Sequence, residues 1–240
     1  RDLHSFPTRR SSDLGILAHW PSRNQAGICV IIDMGANVNA KPQHLLVYGL
    51  MATVFVKLFY GIENPRVGLL SVGEEDSKGS DMSKRAFQLL TDAPGINFVG
   101  NVEGGDWANG EVDVVVTDGF TGNALLKSTE ATVSSILNQI DRGCRDALAE
   151  VNDPNVAAEL KTIIYEKLLP KVIKYWDWRA LPGGLLMGLK GLTIINHGRS
   201  DGNAVYNSLR GARMMIERGV LEGISGAIAD ATDLLAESAG

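Results

Sequence analysis

The sequence is poor in the residues that build metal centres and redox sites. Its two cysteines, Cys29 and Cys144, lie far apart and match no ligand spacing, and no Cys/His cluster stands in for them. This pattern fits a chain with two reduced, packed thiols and not a disulfide scaffold. Positive charge is not in excess either: the formal net charge is −5. Nucleic acid is therefore not expected as a partner, because phosphate-backbone binding needs a basic face. Nucleotide fingerprints are missing as well. There is no G-x-G-x-x-G after a strand, no G-x-x-x-x-G-K-[ST] and no G-x-S-x-G elbow. A dinucleotide oxidoreductase is disfavoured on that ground. Glu74, Glu75 and Asp76 read as a solvated acidic loop, not a cation site. Long apolar runs are almost absent. The exception, Leu45 to Ile62 with Lys57 its only charge, sits at the lower edge of bilayer-spanning length. Gly49, Thr53 and Gly61 interrupt it, and strand-like segments flank it, so a buried helix is expected.

The first fourteen residues, R-D-L-H-S-F-P-T-R-R-S-S-D-L, show neither an apolar signal core nor a helix or strand period. They resemble the conceptual translation of a common sequencing adapter. On that reading genuine protein starts near Gly15, the natural N-terminal region is missing, and Arg1, His4, Arg9 and Arg10 carry no function.

What the rest contains is a rhythm. With 240 residues, 45% of them hydrophobic, the chain is long enough for one large core. Strand-like runs at Ile28–Asp33, Arg66–Val72, Ile96–Gly100 and Val112–Thr117 alternate with helical patterns at about 43–60, 80–91 and 122–140. Apolar strands without strict alternation, separated by helices, predict a mostly parallel sheet in a doubly wound α/β fold. Ligands of such folds sit at the carboxyl ends of the strands. Four polar, glycine-rich loops follow strand-like runs: D-M-G-A-N-V-N-A-K-P from Asp33, G-E-E-D-S-K-G-S from Gly73, D-G-F-T-G-N from Asp118, and H-G-R-S-D-G-N from His197, after Leu192–Asn196. Each opens a helix start, where backbone N–H groups and the helix dipole favour an anion. Four loops in one topological position predict a shared anionic site.

These loops, with I-E-N-P-R-V-G-L-L-S-V-G-E-E-D-S-K-G-S, I-N-F-V-G-N-V-E-G and V-D-V-V-V-T-D-G-F-T-G-N-A-L-L-K-S-T-E, resemble the bacterial phosphate acyltransferase family of phospholipid synthesis. The resemblance runs in matching order from about Gly15 to the C-terminus. It implies a Rossmann-like fold related to phosphotransacetylases and isocitrate-dehydrogenase-like enzymes, and a homodimer. The implied reaction moves a long-chain fatty acyl group from acyl-carrier protein to inorganic phosphate. The acyl phosphate then serves a membrane-bound glycerol-3-phosphate acyltransferase.

Phosphate is already a nucleophile, so this chemistry requires no covalent intermediate, metal or cofactor. It needs a dianion held against a thioester carbonyl and donors for the developing oxyanion. By resemblance Lys78 and Asn123 match the family's catalytic positions, Lys78 for charge and Asn123 for orientation. Read by themselves they are equally a loop lysine and a helix N-cap. Asp33, Asn37, Gly79, Asp118, Gly119, Gly122 and His197 are the further candidates for phosphate and substrate contact. Asn37 and Asp118 also suit turns and caps, and His197 also suits a structural role. Ser80 departs from the family's frequent Asn, and the family's N-terminal strands and glycine-rich loops have no counterpart.

The stretch from Lys161 to Lys190 breaks the rhythm. Lys161, Lys167, Lys171, Lys174, Arg179 and Lys190 oppose only Glu166 and Asp177, an excess of 6 − 2 = +4. Among them lie Leu168, Leu169, Val172, Ile173 and Trp176. An apolar face with basic flanks suits contact with an anionic membrane surface, and the resemblance likewise implies a protruding amphipathic hairpin, about 141–190. The same surface suits the acidic carrier protein or a dimer contact. Two readings compete with the main one: a phosphotransacylase using acyl-coenzyme A, and a non-catalytic membrane-associated scaffold that keeps the fold.

Overall fold

The apolar runs of the sequence become strands β2 (Ile28–Ile32), β3 (Arg66–Leu70), β4 (Asn97–Val102) and β5 (Val114–Val116) of a mixed α/β fold. This is a computed structural model that describes residues 14–237, with side chains as far as residue 229. The expectation for residues 1–14 therefore falls, apart from Leu14, outside the described residues. Helix α1 (Pro42–Tyr60) follows β2, α2 (Asp81–Asp92) follows β3, the short α3 (Asp106–Asn109) follows β4 and α4 (Gly119–Ala149) follows β5. The boundaries expected from the sequence lie close to these, except that α4 runs on well past residue 140.

Three further strands were not read from the sequence, or were read in another setting: β1 (Gly15–Pro21), β6 (Gly184–Met187) and β7 (Ile194–Ile195). The sheet order is β4-β3-β5-β2-β1-β6-β7. Pairs β2–β5, β3–β5 and β3–β4 are parallel, whereas β1–β2, β1–β6 and β6–β7 are antiparallel. This corrects the expected mostly parallel sheet, because half of the pairings are antiparallel. The cause is local: Gly27, at φ 69°, lets β1 turn straight into β2, and a short loop joins β6 to β7.

Val30, Ile32, Val67, Leu69, Val114 and Val116 share one sheet face and pack with α1, α2 and α8 (Val220–Glu237), which follows α7 (Gly202–Glu217). Cys29, Ile31 and Val115 alternate to the other face and are equally buried. Burial on both faces is why these strands show no polar alternation. The apolar run at Leu45–Ile62 is the core helix α1, with Leu45, Tyr48, Met51, Phe55 and Val56 almost wholly buried. At the amino ends of β3 and β5, the Asp113 carboxylate accepts from Arg66 Nε (3.1 Å), Arg66 Nη2 (3.0 Å), the Arg66 backbone N–H (2.9 Å) and Asn24 Nδ2 (2.9 Å). Burial pushes this carboxyl up, but the Arg66 hydrogen bonds and charge outweigh it and hold Asp113 below its usual value.

A second compact unit is formed by Ala124–Trp178. It contains the rest of α4, helix α5 (Pro154–Thr162), a π-helical turn (Ile163–Leu168) and α6 (Leu169–Tyr175). Asp153 caps α5, accepting from the backbone N–H of Asn155 and Val156. The π turn ends beside Pro170, which has no N–H to continue a tighter ladder. Tyr165, within it, donates to the Asp141 carboxylate at 3.1 Å. Of the expected membrane-facing residues, Leu168 and Ile173 are 52% and 44% exposed, and Val172 and Trp176 are half-buried. Leu169 is buried, so it packs inward and leaves that set.

His19 on β1 lies against Phe55, Phe59 and Tyr60, with ring centroids 5.7, 6.4 and 6.0 Å away. Its Nδ1 is 3.1 Å from the Gly183 carbonyl oxygen, and its Nε2 is buried without a partner. Burial drives its pKa down to about 4, against the opposing pull of that carbonyl. A folded-state pKa below the unfolded value means stability is fully present above about 6.5 and is lost as pH falls toward 4. Between pH 7 and pH 4.5 this site should withdraw on the order of 2–3 kcal/mol of unfolding free energy. Urea titrations of wild type and His19→Leu at both pH values test this, and an equal acid loss in the variant would refute it.

Candidate active site

Adjacent strands β3, β5 and β2 run parallel and open three loops on the same sheet edge. The loop after β2 is organised by one buried carboxylate. Asp33 Oδ1 accepts from the backbone N–H of Ile16, Gly35 and Ala36, each at 2.9 Å, and Oδ2 accepts from Asn37 N–H at 2.7 Å. Four donors on a fully buried group use its acceptor capacity within the protein. Asp33 therefore shapes the loop. Asn37 is buried too; its Nδ2 lies 3.1 Å from His44 Nδ1 and 3.3 Å from the Tyr48 hydroxyl.

The loop after β5 is clamped against this one. Gly119 N–H donates to the Asn37 carbonyl at 2.9 Å. A Cβ on Gly119 would lie 2.7 Å from Asp33 Oδ2 and 2.8 Å from Asn37 N, and one on Gly122 would run into the Asp33 carbonyl oxygen. Both glycines permit backbone contact between the two loops, so packing alone accounts for them. Asp118 is the cap of α4: its Oδ1 accepts from Thr121 N–H at 2.9 Å and its Oδ2 from the Thr121 hydroxyl at 2.7 Å. Several first-turn N–H groups that a helix start offers to an anion are thus already taken. Asn123 lies inside α4 and is exposed, which removes the N-cap reading. Gly35, at φ 131°, leaves room beside it: a Cβ there would sit 3.4 Å from Asn123 Cβ.

The loop after β3 carries Lys78, exposed and loosely paired with Glu75 at 3.9 Å. Lys78 N–H donates to the Glu75 carbonyl at 2.9 Å, closing a turn. Gly79 has φ 97°, and Ser80 caps α2 by accepting from Ser83 N–H. The Ser80 hydroxyl therefore already serves where the family often has Asn. The Ser71 hydroxyl beneath Gly79 is buried without a partner. Asn101 on β4 donates to the Glu75 carbonyl at 2.9 Å. Neither Ser71 nor Asn101 was singled out from the sequence, although both fall inside its quoted motifs. Among the described residues no group of three or more His, Cys, Asp or Glu is arranged to hold a metal ion.

His197 does not join these loops. β7 runs opposite to β2, and the registers place Ile195 level with Gly184, Ala18 and Ile31 in turn. His197 then continues toward the amino ends of the parallel strands. Four strands of the sheet also stand between β3 and β7. The fourth loop thus leaves the expected cluster, and the reason is the antiparallel β6–β7 pair. The His197 carbonyl accepts from Ser200 N–H at 2.9 Å and its Nδ1 from Arg199 N–H at 3.2 Å.

Fold and site together define an α/β protein whose candidate site is made by three strand-to-helix loops on one edge of a parallel block. The chain belongs to the family described as "Fatty acid synthesis protein", whose profile matches residues 12–223. It is 41% identical over 203 residues to a protein of Halothermothrix orenii named phosphate acyltransferase, covering 84% of this chain and 58% of that protein. Proteins of the same name from a Geobacillus species and from Bacillus subtilis are 42% and 41% identical over 202 and 191 residues. The match covers 83% and 80% of this chain, and 58% and 55% of theirs. The chain thus spans under two thirds of the length of these curated relatives.

The packing of the two loops makes a paired test. Gly122→Ala should destabilise by roughly 2–4 kcal/mol, through forced backbone displacement. Gly143→Ala, in the same helix with open space around it, should gain about 0.5–1 kcal/mol from helix propensity. Denaturant midpoints would show this, and equal shifts in both variants would disprove the clamp.

Proposed function

We propose that the protein transfers a long-chain fatty acyl group from acyl-carrier protein to inorganic phosphate, giving acyl phosphate for phospholipid synthesis. The observation that carries this reading is the carboxyl end shared by β3, β5 and β2, where the exposed Lys78 follows β3 and the exposed Asn123, after β5, lies beside the loop fixed by Asp33. Family membership and the name of the relatives support it. In the proposed reaction a phosphate oxygen attacks the thioester carbonyl carbon. The Lys78 ammonium lowers the cost of bringing the dianion there and of the oxyanion that forms, and the Asn123 amide orients phosphate or carbonyl. Collapse breaks the C–S bond, and the carrier thiolate leaves and takes a proton from solvent. Gly119 and Gly122 hold the loops after β2 and β5 against each other, and Gly79 lets the chain turn after Lys78. The positions of Asp33, Asn37 and Asp118 support a role in holding this shape. We assign His197 no contact with phosphate from within one chain.

The proposal extends to a Rossmann-like arrangement of the phosphotransacetylase and isocitrate-dehydrogenase type, acting as a homodimer in the cytoplasm. In it, the amphipathic hairpin expected at about 141–190 is taken as 124–178, since Gly184–Met187 is strand β6 of the sheet, and this hairpin touches an anionic membrane surface. Leu168 and Ile173 would insert, Lys171 and Lys174 would meet the lipid headgroups, and Val172 and Trp176 would flank them. Acyl phosphate released there would be taken up by the membrane glycerol-3-phosphate acyltransferase.

In the protein extended to the full length of its relatives, hydroxylamine should trap hydroxamate only when phosphate and a long-chain acyl-carrier-protein thioester are both present. Lys78→Ala should lower turnover at least ~100-fold with the fold retained. Product from acyl-coenzyme A alone would move the protein to the phosphotransacylases, and silence with both donors would favour the scaffold. Charge reversal at Lys171 and Lys174 should weaken co-sedimentation with vesicles rich in anionic lipid. Undiminished sedimentation would remove the membrane contact.

A further inference from the structure

We infer that Asn101, together with the bulge that precedes it, is the positioning residue for Lys78; this rests on the reading of Lys78 above. The Glu75 carbonyl receives two donors, Asn101 Nδ2 and the Lys78 backbone N–H, each at 2.9 Å. Lys78 N–H alone closes a turn within an exposed loop. Asn101 ties that turn to the sheet from a buried position, 7% exposed. An asparagine in a strand interior runs against strand propensity, and an apolar residue there would leave the carbonyl without its anchor.

The backbone shows how Asn101 comes to face the loop. Phe98 pairs with Val67 and Asn101 pairs with Leu69, with a register shift between them. Val67 and Leu69 belong to the core-facing set, and opposed residues on paired strands share a face. Uninterrupted alternation would send Phe98 and Asn101, three apart, to opposite faces. The extra residue at Val99–Gly100 restores them to one face, and Gly100 supplies the φ of 106° that the bulge needs. The outcome is a side-chain amide aimed under the turn that presents Lys78. Displacing such a group by about an ångström is enough to change rates on the order of ten- to a hundredfold.

The test uses the extended protein with Asn101→Leu, Asn101→Asp and Lys78→Ala. Asn101→Asp keeps shape but replaces the donor with a carboxylate, which covers the case in which Asn101→Leu fails to fold. Two readouts are expected to move together. Amide hydrogen exchange at Lys78 should accelerate by about tenfold or more as the turn opens. The KM for phosphate should rise, or kcat fall, by about tenfold or more, with the KM for the acyl donor unchanged. In the Lys78→Ala background, Asn101→Asp should add no further loss. Unchanged exchange at Lys78 overturns the anchoring. Faster exchange with wild-type phosphate kinetics, while Lys78→Ala is inactive, overturns the positioning role alone. Wild-type turnover in Lys78→Ala overturns the Lys78 assignment and the inference with it.

Discussion

A buried carboxylate holding four backbone N–H groups is the constraint from which this site follows. Asp33 directly follows the central strand β2 and gathers donors from its own loop and from Ile16 on β1. Polar groups in such surroundings tolerate no loss of partners, because each missing donor leaves a buried acceptor unsatisfied. The start of α4 lies directly on the loop these bonds shape. Gly119 and Gly122 follow from that distance, and so does the placement of Asn123 on the first exposed turn beyond the contact.

The parallel block was legible because burial on both faces leaves continuous apolar runs such as Val114–Val116, and because glycines and asparagines mark where each run ends. The antiparallel half was not. β1 carries His19 and Trp20 in a segment of mixed polarity, and β7 spans two residues, too short for any period. Strand direction leaves no mark on a short run. The loop at His197 therefore looked equivalent to the other three, while its strand points the other way.

Site chemistry was legible only as residue types. Lys78 and Asn123 drew notice through the motifs around them, and the structure leaves both exposed, Lys78 on the loop after β3 and Asn123 near the start of the helix that follows the neighbouring strand β5. The division of labour among the other polar residues was hidden. Asp33, Asn37 and Asp118 are ligand-like in composition, yet each is engaged by backbone or neighbouring groups. Asn101 is unremarkable in N-F-V-G-N-V and becomes visible only once the bulge fixes which way it points. Partner counts, which a sequence does not carry, separate scaffold from surface here.

Among the described strands β4 lies at an edge of the sheet, with a row of backbone groups turned outward. A flat, regular edge of this kind is a template on which a foreign strand can grow. The irregularity at Val99–Gly100 spoils that template, since a bulged strand twists and drops out of step with any regular partner. One extra residue thus does two things at once: it turns Asn101 under the Lys78 loop and leaves the margin of the described sheet out of step with a regular partner strand.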